Sequence, residues 1–162
     1  MKLYPAFLAI VAMMGCVSCE TSGSVSHASR ISSVKTTAYT ETERDHLVHG
    51  KSTAVGTPLK YGKVRSAAAD WSVYPVGTRF QIDGEPYTYE VDDYGSALVG
   101  TNNIDLYKPD KREMAQWGAR RVNIKVIKWG SYRRSLAIMK PRTTNTYIQR
   151  MVERIQRAWR GA

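Results

Sequence analysis

The sequence has few of the residues that stabilise a fold through disulfide bonds or bound metal ions. Its 162 residues include two cysteines and three histidines, and no cysteine follows Cys19. The chain beyond that point therefore has no disulfide available, even in an oxidising compartment. The folding region also lacks a paired CxxC or HxxxH motif. His46 and His49 stand three apart without a second ligand pair, so we expect loop histidines, no metal site and no cofactor.

Long apolar runs are equally scarce, and the one at the N-terminus is typical of an export signal. After Lys2, the run LYPAFLAIVAMMG has the length of a signal-peptide core and is too short to cross a membrane. Cys16 and Cys19 each follow a small residue, as the lipidated cysteine of a bacterial lipobox does, although neither register has the usual leucine. We therefore predict a lipoprotein-type signal over 1–19, with an ordinary secretory peptide as the alternative.

This signal predicts where the protein resides. We expect it to be exported to the cell envelope, attached to the membrane through a lipid anchor and facing the periplasm. Residues 20–33 are rich in Ser, Thr and Gly and predict a tether between the anchor and the folded part.

The remaining chain has the composition of one globular domain, with 43% hydrophobic and 23% charged residues. Short β-branched or aromatic segments alternate with glycine-rich turns, which favours a compact β-barrel over 34–130. One strand candidate starts at Val34. Two more, Arg79–Ile82 and Tyr87–Val91, flank an Asp-Gly turn, and RVNIKVIKW alternates like a half-buried strand.

A short helix is predicted within KPDKREMAQWG. Pro109 suits its first turn, because its missing N–H is not needed there. Asp110 favours the positive N-terminal end of the helix, and Gly118 can end it.

The segment 131–162 carries most of the net charge of +10. After Gly130 there are eight basic residues and one acidic residue. The stretch TTNTYIQRMVERIQRAWRGA predicts an amphipathic helix capped by Thr144, Asn145 or Thr146. Its apolar face comprises Ile148, Met151, Val152, Ile155 and Trp159.

This basic helix has two alternative roles. It lies on an anionic membrane or wall polymer, or it packs its apolar face on the barrel. We expect packing, because five large apolar side chains are costly to leave in water. Nucleic acid also attracts such charge, but the export signal argues against a nucleic-acid partner.

Four segments in order resemble the 3D domain, a family named for three aspartates. They are TAYT, AAADWSVYPVGTRFQIDG, VDDYGSALVGTNNIDLY and MAQWGARRVNIKVI. The resemblance spans about Val34 to Trp129 and places the three aspartates at Asp70, Asp93 and Asp105. It implies a six-stranded double-psi β-barrel. The family includes the catalytic barrel of membrane-bound lytic transglycosylase A, which implies that Asp105 is the catalytic acid.

The sequence departs from the family pattern at three places. Ser96 replaces the usual second glycine of DTGG. The stretch Thr101–Ile104 is one residue longer than usual, which can bulge the loop and shift the strand register. Asp92 adjoins Asp93, and we choose Asp93 by counting back from Gly100. The chain also lacks the extra substrate-binding domain of the large transglycosylase, so we expect an open groove and modest affinity.

The resemblance predicts a peptidoglycan-cleaving enzyme of the lytic transglycosylase type. One carboxyl group protonates the MurNAc–GlcNAc oxygen and then accepts a proton from the attacking C6 hydroxyl. Asp105, Asp93 and Asp70 are the candidate catalytic residues. Candidate substrate-binding residues are Tyr39, Thr78, Tyr94, Gly95, Ser96, Ala97 and Gly100, and Trp71 is a further ring that can stack on sugars.

Two other functions remain open at this point. A non-catalytic barrel can bind glycan strands and position other cell-wall proteins, with the aspartates acting only as loop and strand-end caps. A hydrolase of another polysaccharide can use Asp70 or Asp93 to activate water. Products with anhydro ends indicate a lytic transglycosylase, products with reducing ends indicate a hydrolase, and the absence of products indicates a binding role.

Overall fold

The computed structural model describes residues 29–42 and 50–161. The predicted export signal with Cys16 and Cys19, and the pair His46 and His49, lie outside the described residues. The strands are β1 (Ser29–Tyr39), β2 (Val64–Ala69), β3 (Arg79–Ile82), β4 (Thr88–Asp93), β5 (Ile104–Tyr107) and β6 (Arg120–Lys128). The helices are α1 (Lys111–Trp117), α2 (Tyr132–Met139) and α3 (Thr146–Arg160).

The six strands form a closed barrel in the neighbour order β1-β5-β2-β4-β3-β6. The pairs β1–β5 and β2–β4 are parallel, and the other four pairs are antiparallel. This arrangement confirms the prediction of a mainly β, six-stranded barrel with a short helix and a C-terminal helix. Closure gives every strand two neighbours, so no described strand presents an open edge.

The β3–β4 hairpin forms as its alternation predicts. Phe80 and Ile82 are buried while Arg79 and Gln81 are exposed, and Gly84 takes a positive φ of 85° in the turn. β4 continues two residues past its predicted end, to Asp93. This extension matters below, because it carries two acidic side chains into the sheet.

β1 starts earlier than the sequence predicts. Ser29 and Ile31 pair with Val126 and Ile124 of β6, so five residues of the predicted tether belong to the barrel. Pairing with an existing strand, rather than their own Ser-rich composition, orders these residues.

The ends of α1 agree closely with the sequence. Asp110 is the N-cap and its side chain accepts a hydrogen bond from Glu113 N, while Gly118 ends the helix at a φ of 62°. Pro109 precedes the cap instead of lying in the first turn as predicted.

The apolar face of α3 packs on the barrel, as expected. Ile148, Met151, Val152 and Ile155 are buried and belong to the same core as the strands. The inclusion of Trp159 in this face was wrong, because its side chain is 52% exposed. From Gln156 onward every described residue is exposed, so the last turn of the helix extends past the barrel.

Helix α2 was not predicted, and two close contacts fix it. A side chain at Gly130 would place its Cβ 2.2 Å from Pro75 O, so the chain can enter α2 here only with glycine. Ser135 then accepts a hydrogen bond from Val76 N through its hydroxyl. Within the described residues, no helix has both the length and the apolar character that crossing a membrane requires.

The packing of α3 predicts a large effect of truncating a core side chain. Met151→Ala should lower the free energy of unfolding by about 2–5 kcal/mol, because it leaves a cavity in a fully buried site. Trp159→Ala is the control and should change it by less than about 0.5 kcal/mol. Chemical denaturation of both variants makes the comparison, and an unchanged Met151→Ala midpoint would show that α3 does not dock.

Candidate functional site

Two of the three predicted aspartates lie in one row across the sheet. Strand β2 lies between β4 and β5, and Ala68 pairs with Asp93 on one side and with Asp105 on the other. Directly paired residues point to the same face of a sheet, and two strand spacings separate their backbones by about 10 Å. The small methyl group of Ala68 therefore separates two carboxylates on the outer face of the barrel.

A bulge in β4 creates this row. The pairing of β2 with β4 passes from Ala67–Val91 to Ala68–Asp93, so Asp92 has no opposite residue. Without the bulge, alternation would place Asp92 and Asp93 on opposite faces. With it, Asp93 rather than Asp92 lies beside Ala68.

Asp92 is held by other partners. Its carboxylate accepts a hydrogen bond from Ser66 Oγ at 2.8 Å and forms an ion pair with Lys60 Nζ at 3.1 Å. Burial raises the pKa of Asp92, although Ser66 and Lys60 oppose this rise. Asp92 is only 1% exposed, so it is engaged within the protein.

Three donors converge on Asp93. The backbone amides of Ala54 and Tyr94 donate to Oδ1 over 3.0 and 2.9 Å, and the hydroxyl of Tyr39 donates to Oδ2 over 3.4 Å. The indole of Trp71 donates to the backbone carbonyl of the same residue over 2.8 Å. The position and orientation of Asp93 are therefore fixed by groups from three separate segments.

The hydroxyl of Tyr39 feels the negative charges of several nearby aspartates. Burial raises the pKa of Tyr39 well above its usual value, and the charges of Asp93, Asp92 and Asp105 raise it further. Its hydroxyl therefore keeps its proton at neutral pH and remains a donor to Asp93. Its ring packs against Tyr107 with centroids 5.7 Å apart.

Asp105 keeps its place although the preceding loop is longer than usual. β5 pairs with β1 without a register shift, from Thr36–Ile104 through to Tyr39–Tyr107. Thr101 absorbs the extra residue, because its hydroxyl bonds to Leu98 O and accepts from Asn103 N. In β5, Asp105 is the half-buried residue between the buried Ile104 and Leu106, so it reaches the outer surface.

Asp70 does not join this row. It is completely buried and its Oδ1 accepts from the amide and hydroxyl of Ser72 at 2.8 and 2.6 Å. Its Oδ2 accepts from Gly100 N at 2.8 Å and from Arg154 at 3.1 Å. All four donors come from the protein, so the contacts of Asp70 are those of a structural residue.

Some of the predicted substrate-binding residues are exposed, and others are buried. Ser96 and Ala97 are exposed in a short turn, and Tyr94 and Gly95 are half-buried beside it. Gly100 is exposed, but its amide is bonded to Asp70. Tyr39, Trp71 and Thr78 are buried, so none of them presents a face to a glycan in this conformation.

Thr78 has a structural role. Its hydroxyl donates to Pro75 O at 2.6 Å and accepts from Gly130 N at 3.0 Å. The threonine of the PVGT segment thus joins the loop before β3 to the start of the C-terminal extension.

Sequence reasoning missed the contribution of the C-terminal extension to this region. Arg142 donates to Ala54 O at 2.8 Å and to the Tyr94 hydroxyl at 3.1 Å, and Ala54 N in turn holds Asp93. Arg154 reaches Asp70. No local pattern marks these two arginines among the other basic residues of the extension.

Apolar side chains surround the row, and the described residues bring no cluster of metal ligands to it. Tyr39, Ala68, Leu98 and Tyr107 form a small core separate from the barrel interior, with Leu59 and Tyr61 packed against it. Among the described residues, no three potential ligands come together at a metal-binding distance. The chemistry available here is that of two carboxylates in a partly apolar setting.

Comparison with known proteins supports the family resemblance. Residues 65–128 match the family model of the 3D domain, a range that includes all three aspartates. The chain is 33% identical over 99 residues to the "Putative cell wall shaping protein YabE" of Bacillus subtilis, covering 60% of this chain and 23% of the relative. It is 34% identical over 101 residues to the "Cell wall-binding protein YocH" of the same organism, covering 62% and 33%.

These matches confirm the resemblance to the 3D domain. The aligned part of the chain spans 23% and 33% of the length of these two relatives. Strand β1 and the extension with Arg142 and Arg154 lie outside the range matched by the family model.

The buried ion pair predicts a stability effect that is specific to one arginine. Arg154→Met should lower the free energy of unfolding by about 1–3 kcal/mol, because it removes a charged donor from a buried carboxylate. This range is lower than the cost of breaking a fully buried ion pair, because the Arg154 side chain is itself 39% exposed and partly screened by solvent. Arg150→Met, on the exposed side of the same helix, is the matched control. Equal unfolding midpoints for the two variants in urea would contradict the assigned role.

Proposed function

We propose that this protein is an exported cell-wall protein that cleaves peptidoglycan glycan strands as a lytic transglycosylase. The observation that carries the proposal is the row Asp93–Ala68–Asp105, two carboxylates on one outer face within a matched 3D domain. The names of the two relatives, one a cell wall shaping protein and one a cell wall-binding protein, support the cell wall as its place of action.

In the proposed reaction, Asp105 acts first as acid and then as base. Its carboxyl proton goes to the glycosidic oxygen, the C1–O bond breaks, and the leaving sugar departs with that proton as a hydroxyl. The C6 hydroxyl of the remaining sugar then bonds to C1 and closes a 1,6-anhydro ring. Its proton passes to the Asp105 carboxylate, so the enzyme returns to its starting state and no water is consumed.

The environment of Asp105 suits the acid role better than that of Asp93. Both oxygens of Asp93 already accept hydrogen bonds from fixed donors, an arrangement that favours a carboxylate over a proton donor. A negative charge held across Ala68 makes loss of a proton from Asp105 less favourable. We assign Asp93 as a fixed negative charge near Asp105, and Tyr39 as the residue that orients Asp93.

The remaining predicted residues take supporting roles in this proposal. Asp70 positions the turn around Gly100 and the helix α3, and does not contact substrate. The exposed Ser96 and Ala97, with Tyr94 and Gly95, form the rim along which a glycan strand lies.

A non-catalytic role is the second candidate, because one relative is named a cell wall-binding protein. The same outer face then holds glycan strands without cleaving them. A hydrolase is the third, in which Asp93 activates water and the products carry reducing ends. Analysis of the products separates all three.

The catalytic assignment predicts a large loss of activity in Asp105→Asn. Muropeptide release from purified sacculi, followed by mass spectrometry, should fall about a hundred- to ten-thousand-fold, with anhydro ends lost. Asp93→Asn should also lose activity. Asp92→Asn, one residue away but engaged with Ser66 and Lys60, should retain most of it.

The outcome also decides between the candidate functions. Anhydro products from the unmodified protein that persist in Asp105→Asn would contradict the assignment of the acid. No products from either protein, together with pelleting on sacculi, would favour the binding role.

The proposed lipid anchor predicts covalent labelling. Cells supplied with labelled palmitate should yield labelled protein, and replacement of both Cys16 and Cys19 by serine should abolish the label. Replacing each cysteine alone identifies the modified one. A soluble, unlabelled mature protein would indicate an ordinary secretory signal instead.

A further inference from the structure

A polar groove of about 360 Å³ lies against the first half of β1 and is not used in the proposed reaction. Its lining includes two cations, Lys35 and Arg121, the residues Asn102 and Asn103, and the serines Ser32 and Ser33. None of the described residues that line it is acidic. Cations and neutral donors without a carboxylate favour an anionic ligand.

The strand register places this groove next to the carboxylate row. Thr37 pairs with Asp105 on the parallel strands β1 and β5. Asn103 lies two residues before Asp105, in the turn that leads into β5. Lys35 lies two residues before Thr37 in β1, so it shares the same outer face about 7 Å further along the strand. This separation is comparable to the step between neighbouring sugars in a glycan chain.

A distorted segment of β1 forms one wall of the groove. The pairing of β1 with β6 shifts between Ile31 and Val34, and Ser33 takes a positive φ of 58°. Asn123 Oδ1 accepts a hydrogen bond from Ser33 N at 3.1 Å, and Arg121 donates to Ser33 O at 2.8 Å. Two specific contacts thus maintain an unfavourable backbone conformation, which is a common feature of binding sites.

The opposite wall is the turn that contains the extra residue. Thr101 closes this turn on Leu98, and Asn102 and Asn103 line the groove. The insertion leaves the register of β5 unchanged, so its effect is to add amide groups beside Asp105.

We propose that this groove is a subsite for a carboxylate carried by the glycan strand that occupies the row Asp93–Ala68–Asp105. The muramic acid of peptidoglycan bears such a group on its lactyl side chain, or on the peptide attached there. Arg121 has donors beyond the one bonded to Ser33, and Lys35 supplies a second positive charge. This inference rests on the proposed function, because it assumes a glycan strand in the neighbouring site.

The experiment compares an acid with its amide. Binding of a muramic-acid-containing glycan fragment with a free carboxylate is measured by calorimetry on the full-length protein carrying Asp105→Asn, so that no ligand is consumed. The same fragment with the carboxylate converted to a primary amide is the second ligand. Lys35→Gln is added to remove the charge, and Lys125→Gln, an exposed lysine of β6 outside the groove, is the matched control.

We expect the acid to bind about tenfold more tightly than the amide, since the pairing groups are partly solvated. Lys35→Gln should remove most of this preference, and Lys125→Gln should keep it. A ratio near one in the parent protein, or a preference that Lys35→Gln leaves unchanged, would overturn the subsite.

A second measurement separates the subsite from the proposed function. Acetate and inorganic phosphate are titrated into the labelled protein while the side-chain amide signals of Asn102 and Asn103 are followed by NMR. If neither glycan fragment binds, saturable acetate shifts that Lys35→Gln abolishes would retain the carboxylate site and reject the proposed function. If neither fragment binds and the amide signals shift only with phosphate, or with neither anion, both the carboxylate site and the proposed function are rejected.

Discussion

The buried carboxylate of Asp70 is the interaction on which the arrangement of the site depends. It accepts hydrogen bonds from Ser72 at the end of β2, from Gly100 before β5 and from Arg154 in α3. Such a group is stable out of water only when its oxygens are bonded. The need to bond both oxygens of Asp70 brings three distant segments together. The segment with Ser72 adjoins Ala68 in the sequence, and the segment with Gly100 adjoins Asp105.

The second constraint is the bulge at Asp92. β4 has three acidic residues in four positions, and a regular strand would turn one of them into the barrel core. The bulge keeps Glu90, Asp92 and Asp93 out of the interior while Val91 remains in it. Lys60 then pairs with Glu90 and Asp92, and Arg79 also pairs with Glu90. Asp93 instead pairs with Ala68 in the row with Asp105, so one extra residue in the strand places two adjacent acids in different surroundings.

The sequence predicts individual hairpins and helices where their signals lie in neighbouring residues. The β3–β4 hairpin follows from alternation and an Asp-Gly turn, and α1 from its Asp110 cap. α2 was missed although Ser131 caps it and Leu136 and Met139 lie on one face, because eight residues give a weak periodicity. The order of strands in the barrel, and therefore the contact of Ala68 with both aspartates, depends on pairing between distant segments. The family resemblance implied the type of barrel, but the sequence analysis predicted neither the strand order nor this contact.

The family pattern alone also does not show how differently its aspartates are placed in the barrel. Asp70 and Asp105 have similar sequence surroundings, each next to small or apolar residues, yet one is saturated by protein donors and the other reaches the surface. Asp70 is bonded by Ser72 and Gly100 within the matched domain, and also by Arg154, which lies 84 residues beyond Asp70 and outside that domain. Arg142 likewise holds the Ala54 peptide that donates to Asp93. The basic extension therefore contributes to the structure of the candidate site, because Arg154 bonds to Asp70 and Arg142 bonds to the peptide that holds Asp93.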